Sequence, residues 1–262
     1  MCAAKVKSWG EIADWYDKKQ GERGDLWHRT LIDPTLLSVI GDCRGSEVLD
    51  LGCGNGYLAR RLARKGAVMA AVDQSAKMIK NAKAHDPKNR LKITYLRADA
   101  ANLRFPEESF DLVFANMSLM DIEDAEGAVG EVARVLKRGG RFVASICHPC
   151  FDTNMNSGWI SEKLPGEKRR VYRKVRGYRL PSSGAVPWRL KSGEKTFTVG
   201  FHRPLSWYAR VLWSNGLPIT ALEEPEPTDE FHRRESEQEG DLDSPGLREV
   251  PLQLVIEARK IG

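Results

Sequence analysis

An α/β fold on a mostly parallel sheet is what this sequence predicts, from two observations. Between Glu47 and Asp73 the chain reads EVLDLGCGNGYLARRLARKGAVMAAVD: an apolar run, a glycine-dense turn, apolar residues at helical spacing, and a second apolar run. Short apolar runs then keep alternating with helical patterns as far as Cys147, the signature of successive βα units. At 262 residues the chain can bury most of its apolar surface in one such domain, plain or elaborated, without covalent staples.

In chain order, Trp9, Ile12, Ala13, Trp15 and Tyr16 make an apolar face at helical spacing, with Ser8 and Glu11 as a capping pair. Val48 to Leu51 reads as a buried strand. Gly52-Cys53-Gly54-Asn55-Gly56 is too rich in glycine to continue it, so the backbone turns there, and a ligand can approach main-chain N–H groups without meeting a Cβ. Leu58, Ala59, Leu62 and Ala63 give a helix face that Gly66 stops. Ala67 to Val72 is a second strand ending at Asp73, where such units bind ribose hydroxyls. Ser75 caps the next helix, whose apolar face is Ala76, Met78, Ile79 and Ala82. Ile93 to Ala98 is a third strand, closed by Asp99-Ala100, and Phe110 to Ala115 a fourth, left by Asn116. A helix with Val129, Val132 and Val135-Leu136 inward follows, which Gly139-Gly140 is expected to terminate before the fifth strand, Phe142 to Cys147.

Two ligands compete for the glycine loop, a dinucleotide and S-adenosylmethionine. The dinucleotide fingerprint is G-x-G-x-x-G, whereas this loop is G-x-G-x-G with Tyr57 where the fingerprint wants glycine. Asp50 adds a carboxylate that repels a pyrophosphate and can receive an ammonium. The stretch Asp50 to Gly56 resembles motif I of the class I S-adenosylmethionine-dependent methyltransferases, and Leu-Lys-Arg-Gly-Gly-Arg at 136–141, with the strand after it, resembles the same core. The resemblance spans about residues 45 to 150. It implies a Rossmann-like, seven-stranded, mostly parallel sheet with an antiparallel last strand, and S-adenosyl-L-methionine as cofactor. Cofactor contacts are thereby implied at Asp50, Gly52, Cys53, Gly54, Asn55 and Gly56, at Asp73, Gln74 and Met78, at Asp99 and Ala100, and at Asn116 and Met117. Asp73 would take the ribose, with Gln74 and Met78 beside the adenosine. Asp99 would accept from adenine's exocyclic amine while the Ala100 N–H donates to a ring nitrogen. The fourth strand leaves through Asn116-Met117-Ser118-Leu119 rather than the Asn/Asp-Pro-Pro-aromatic of families that methylate exocyclic or amide nitrogens, which disfavours that chemistry. Ser8 to Asp17, SWGEIADWYD, resembles the N-terminal lid of many small-molecule methyltransferases. That likeness makes Tyr16 a candidate cofactor contact and Trp27 and His28 candidate pocket-lining residues.

Beyond Cys147 some fifty residues rich in Arg, Lys, Tyr and Trp intervene, broken by Pro181, Gly184 and Pro187, and read as an antiparallel, loop-rich substrate cap. Leu205 to Trp213 then reads as a helix ended by Gly216, Ile219 to Leu222 as a strand, and Leu252 to Ala258 as the final strand. Between the last two, the acidic, Pro- and Gly-punctuated Glu223 to Gly246 is expected to be a mobile exposed loop. His202 to Ser206, with Glu224-Pro225, resembles a subgroup of the methyltransferase type 11 family, whose members commonly modify small molecules; Leu217-Pro218 departs from it. The organisation expected is a helical lid over 1–40, a cofactor-binding core over 41–150, a basic cap insertion over 151–200, and completion of the core sheet over 201–262.

Composition narrows the function. The net charge is +5, spread unevenly: residues 151–200 hold eleven Lys/Arg against four Asp/Glu, and residues 201–262 hold seven against twelve. Solvated surface accounts for both, and an anionic or RNA partner on the basic stretch is the sharper alternative. Five cysteines, Cys2, Cys43, Cys53, Cys147 and Cys150, offer only the loose Cys147-x-x-Cys150 pair, too few ligands for zinc, so reduced cytoplasmic thiols and no metal are expected. No run of eighteen apolar residues exists, and Met1 to Ala4 leads straight into charge, so neither a membrane span nor a signal peptide is expected. Methyl transfer needs an acceptor aligned behind the activated carbon, with water excluded. Where the acceptor must lose a proton, His148 and His202 are the candidate bases, with Asp121 behind them. The reading is methyl transfer to a small-molecule O, N or C acceptor. An RNA or ribonucleoprotein methyltransferase is the first alternative, a non-catalytic cofactor-binding regulator the second, and the oligomeric state stays open.

Overall fold

The computed structural model describes residues 6–153, 156–163, 166, 170–190, 193, 195–238 and 246–261, so Cys2 and residues 239–245 of the acidic stretch lie outside the described residues. The chain begins with α1 (Ala13–Gln20), a π-helical turn (His28–Ile32) and α2 (Asp33–Ile40). The core follows as β1 (Glu47–Leu51), α3 (Tyr57–Ala63), β2 (Val68–Asp73), α4 (Ala76–Ala84), β3 (Thr94–Arg97), β4 (Phe110–Asn116), α5 (Ala125–Val135) and β5 (Leu136–Cys147). Two antiparallel ribbons come next, β6 (Ser157–Glu162) with β7 (Arg170–Val175), and β8 (Ser182–Arg189) with β9 (Lys195–His202). The chain then forms α6 (Leu205–Ser214), β10 (Ile219–Glu223), α7 (Asp229–Gln238) and β11 (Gln253–Arg259).

One seven-stranded sheet has the order β10-β11-β5-β4-β1-β2-β3. Pairs among β1 to β5 are parallel, and β11 runs antiparallel to both β5 and β10. This is the Rossmann-like, mostly parallel sheet the sequence predicts. The order reverses beside β1, which has β2 on one flank and β4 on the other. A crevice therefore opens at the carboxyl ends of β1 and β4, where such sheets take their ligands.

Strand alternation divides the core between the two faces. Leu49, Leu51, Val72, Val113, Ala115, Phe142 and Ala144 pack against α5 and α6 through Val129, Val132, Tyr208 and Leu212. Val48, Met69, Ala71, Leu112, Phe114 and Val143 pack against α2, α3 and α4 through Leu36, Ile40, Leu58, Leu62 and Ile79. Because side chains in a strand point alternately to opposite faces, Asp50 shares the Val48 face and meets the start of α3. Its carboxyl accepts a hydrogen bond from the Ala59 N–H in the first turn of that helix. Ser75 caps α4 as expected, its Oγ accepting from the Met78 N–H at 3.2 Å.

Three expectations need correction. Gly139-Gly140 does not terminate α5, which ends at Val135 and passes directly into β5. The glycines lie in a bulge, where the pairing with β4 jumps from Phe110↔Leu136 to Leu112↔Arg141. Gly139 has φ +73°, its N–H donates to the Lys260 carbonyl, and a Cβ on Gly140 would sit 2.8 Å from the Lys137 carbonyl oxygen. Gly184 and Pro187 do not break the cap segment either, since both lie inside β8. A two-stranded ribbon leaves β8 an open edge, where a proline's missing N–H goes unnoticed. The acidic stretch, finally, contains α7, and Phe231 on that helix is fully buried against the edge of Trp27 at 5.1 Å. Phe231, with His232 buried beside it, holds the helix to the domain despite the polarity of the sequence around it.

Candidate active site

A cavity of about 1130 Å³ occupies the crevice at the β1 and β4 ends, roomy against the roughly 300–1,000 Å³ of ordinary ligand pockets. Its floor is the glycine loop. Gly52, Gly54 and Gly56 all have positive φ, at +76°, +53° and +72°, a region that costs other residues about 1–2 kcal/mol. A Cβ on Gly52 would strike Ser118 at 2.5 Å, whereas one on Gly54 would meet only Tyr16 Cε1 at 3.5 Å. Gly54 is thus the bare point of a cradle that any longer side chain would fill. Asn55 ties the loop to α1, its Nδ2 donating to Asp17 Oδ1 at 3.0 Å and to the Gly21 carbonyl at 2.9 Å.

Most of the residues implied as cofactor contacts come together here. Asp50, Gly52, Cys53, Gly54, Asn55, Asp73, Gln74, Met78, Asp99, Ala100, Asn116, Met117 and Tyr16 all line the cavity. Gly56 does not; it is the residue before α3, and a Cβ there would meet the Tyr95 hydroxyl at 2.8 Å, behind the loop. Trp27 does not line it either, being packed on Phe231, while His28 does. Asp73 holds the loop in shape: Oδ2 accepts from the Gly54 N–H at 3.0 Å, and Oδ1 from the Ser75 N–H at 2.8 Å.

Of the three candidate bases, only Asp121 lines the cavity. His148 is buried away from it with both ring nitrogens engaged, Nε2 with Glu224 at 3.0 Å and Nδ1 accepting from the Cys150 N–H at 3.2 Å. His202 Nε2 donates to the Tyr178 carbonyl at 2.8 Å and braces the ribbon. His148 follows β5 at the crevice end of the sheet and His202 ends β9 of the ribbon, but their hydrogen bonds engage both outside the cavity. Four residues that the sequence reading passed over complete the walls: Ser118, whose Oγ donates to the Leu51 carbonyl at 2.6 Å, and Thr198, Val199 and Phe201 from β9. Nothing local in the sequence marks β9 as a wall; the fold brings it there.

The cavity is acidic. Burial raises Asp50 well above the carboxylate range, aided by the Asp73 charge, and raises Asp73 itself to about 6 against the Ser75 and Gly54 N–H groups. Burial and Asp73 raise Asp121 to about 8. These acids bind protons more tightly in the folded chain than unfolded, so their contribution to stability is complete below about pH 4 and fades as pH rises through 6 and then 8. The free protein's thermal midpoint is accordingly expected to fall between about pH 5 and 9, and Asp121→Asn to flatten the upper part of that fall. A bound cation reverses the trend by favouring the ionised acids. A pH series of thermal melts checks this, and a midpoint that rises over the window contradicts it.

Sheet order, glycine loop and acid cluster together define the class I methyltransferase scaffold. Residues 49–144 match the methyltransferase domain family. The structure is similar to that of an S-adenosylmethionine-dependent methyltransferase from Mesorhizobium loti, with TM-score 0.69 and 28% identity over 92% of this chain and 100% of that one. The demethylmenaquinone methyltransferase of Tropheryma whipplei is 37% identical over 152 residues, 55% of this chain and 59% of that protein. The ubiquinone biosynthesis O-methyltransferase of Bradyrhizobium is 34% identical over 177 residues, 62% and 65% of the two chains. The chain thus spans about three-fifths of the length of these curated relatives. The [4+2]-cyclase SpnF shares the fold at TM-score 0.51 and 18% identity, covering 98% of this chain and 85% of that one, so fold alone does not fix the reaction.

Proposed function

We propose that this protein is an S-adenosylmethionine-dependent methyltransferase acting on a small-molecule acceptor. The observation that carries the reading is a cluster of three cavity acids, Asp50, Asp73 and Asp121, around a glycine loop with one open point at Gly54. A cofactor with an ammonium and a sulfonium suits those acids, and a pyrophosphate does not. Asp50 and the loop would hold the methionine end, Asp73 the ribose, and Asp99 with Ala100 the adenine. The cofactor supplies a methyl carbon already activated by its sulfonium. The chain's own residues then bind, orient and shield the acceptor.

Trp9, Tyr16 and Phe201 put aromatic surface on the cavity wall, which favours a flat, ring-bearing acceptor, in keeping with relatives named for demethylmenaquinone and for ubiquinone biosynthesis. The same acids weigh against RNA, since Glu123 and Asp124 extend the negative lining towards any approaching phosphate. The N-terminal helix and the β8–β9 ribbon act as the cap, joined by Trp9 and Trp15 against Trp188 at 5.4 and 5.9 Å and by Lys7 N–H donating to the Phe197 carbonyl. No helix among the described residues is long and apolar enough to cross a membrane. The four described cysteines are unpaired, which supports a reducing, cytoplasmic setting.

Incubation with methyl-labelled S-adenosylmethionine and fractionated cell extract is expected to place label in small molecules. Label in RNA would replace the reading with the nucleic-acid one, and cofactor binding without transfer to any fraction would replace it with a regulatory one.

A further inference from the structure

His28 occupies an unusual position on the cavity wall. The residue lines the cavity and its ring lies edge-on to Tyr57, 5.8 Å between centroids, yet it is only 8% exposed. It opens a π-helical turn, in which the Asp33 N–H reaches back to the His28 carbonyl; such turns are rare and gather at functional sites. Asp25, one turn earlier, accepts twice through Oδ1, from the His28 N–H at 3.0 Å and from ring Nδ1 at 2.7 Å. Its Oδ2 pairs with Lys19 at 3.2 Å, and its own N–H donates to Gln20 Oε1 at 3.0 Å. Burial opposes the charge on Asp25, but the His28 hydrogen bonds, the charge His28 carries when protonated, and the Lys19 charge hold its carboxyl well below the usual range.

Two groups meet Nδ1, the ionised Asp25 at 2.7 Å and the Gln20 Nε2 amide at 3.3 Å; the shorter, charged contact places the proton on Nδ1. Nε2 is then the lone-pair nitrogen, and no protein group among the described residues engages it. A carboxylate that fixes the tautomer and orientation of an imidazole facing a cavity is the arrangement of a general base.

We infer that His28 is the catalytic base for a hydroxyl acceptor and that Asp25 is its positioning residue. This rests on the methyltransferase reading. In the step, His28 Nε2 takes the acceptor's O–H proton as the oxygen lone pair forms the new O–CH3 bond. The carbon–sulfur bond breaks with its electron pair staying on sulfur, which becomes a neutral thioether, and the imidazolium later passes its proton to solvent. The titratable groups facing His28 are Asp25 before its turn, Tyr57 from α3, Asp33 from the start of α2, and Lys19 from α1 through Asp25.

The test uses the full chain and three measurements. Calorimetry with S-adenosylhomocysteine comes first: no binding by the wild type overturns the methyltransferase reading itself, whereas equal binding by wild type and His28→Gln shows the variant folded and loaded. Nitrogen-15 NMR of the histidine rings in the free protein at about pH 8 is then expected to show His28 protonated at Nδ1 alone, a preference that Asp25→Asn removes; protonation at Nε2 instead overturns the inference. Finally, with catechol as acceptor, His28→Gln is expected to lose about 10²–10⁴-fold in kcat with KM changed little. With 4-nitrophenol, largely ionised at the assay pH, the loss should shrink to less than about tenfold, since no proton remains to be taken. An undiminished kcat on catechol, or a wild type that binds the thioether yet methylates neither phenol, overturns the assignment.

Discussion

Gly54→Arg is expected to abolish cofactor binding while leaving the protein folded. At φ +53° the new side chain costs about 1–2 kcal/mol in the backbone, a sum most domains of this size survive. Its direction is what matters: the Cβ has open space apart from Tyr16, so the guanidinium extends into the cavity towards Asp50 and Asp73. There it stands in for the cation that the acids are arranged to receive. Affinity for S-adenosylmethionine should fall by at least about 100-fold, or roughly 2.8 kcal/mol. Gly54→Ala is the control. It carries the same backbone penalty without the plug, and its Cβ makes an ordinary 3.5 Å contact, so affinity should stay within about tenfold of wild type. Calorimetry on both variants decides the matter, and intact affinity in the arginine variant would remove the ligand from this loop.

The contrast between those variants shows why the core was readable from sequence. The strand, glycine turn and helix of residues 47–63 are local features, each set by spacing over a few residues, and the structure returns them within a residue or so. Ser75 as a cap and Asp73 at a strand end are equally local. Gly139-Gly140 misled because two glycines after a helix look alike whether they cap it or bulge the following strand; only the pairing of β5 with β4 and the contact to Lys260 decides. Such partners lie far away in sequence.

The site divides along the same line. That the loop and strand-end acids line one cavity was legible from motif and topology, but which histidine lines it was not. His148 and His202 each stand at a strand end in sequence terms, and what engages them outside the cavity is Glu224, seventy-six residues from the first, and the Tyr178 carbonyl, twenty-four from the second. Asp25 and His28 did carry a local signal, a carboxylate and an imidazole three apart on a helical turn. That spacing reads as an ordinary surface pair until the fold buries it against Tyr57. Asp33 is a still plainer case: fully buried, it accepts from the Tyr57 hydroxyl at 2.9 Å and from Arg61 at 3.3 Å, and nothing beside it in the sequence predicts either partner.

Phe231→Ala is expected to be the most damaging single change outside the ligand cavity. Phe231 is fully buried although its helix is one of the most polar in the chain, and it is the residue through which α7 enters the cluster of Leu31, Ile32, Leu247 and Leu252. Those partners come from three segments: the π-helical turn below His28, the chain after the acidic stretch, and the approach to β11. Truncation removes the ring's contact with Trp27 and leaves a cavity among them, a loss of about 3–5 kcal/mol. For a chain of this length that corresponds to a fall in Tm of roughly 6–20 °C if unfolding is cooperative. If α7 instead detaches by itself, Tm moves little and limited proteolysis cuts first within 229–238, because local opening then lies well below global unfolding. His28 rides on the same π-helical turn, so either outcome should also lower turnover without destroying cofactor affinity. A variant with unchanged Tm, protease resistance and turnover would show that the acidic stretch is bound to the domain by something other than this ring.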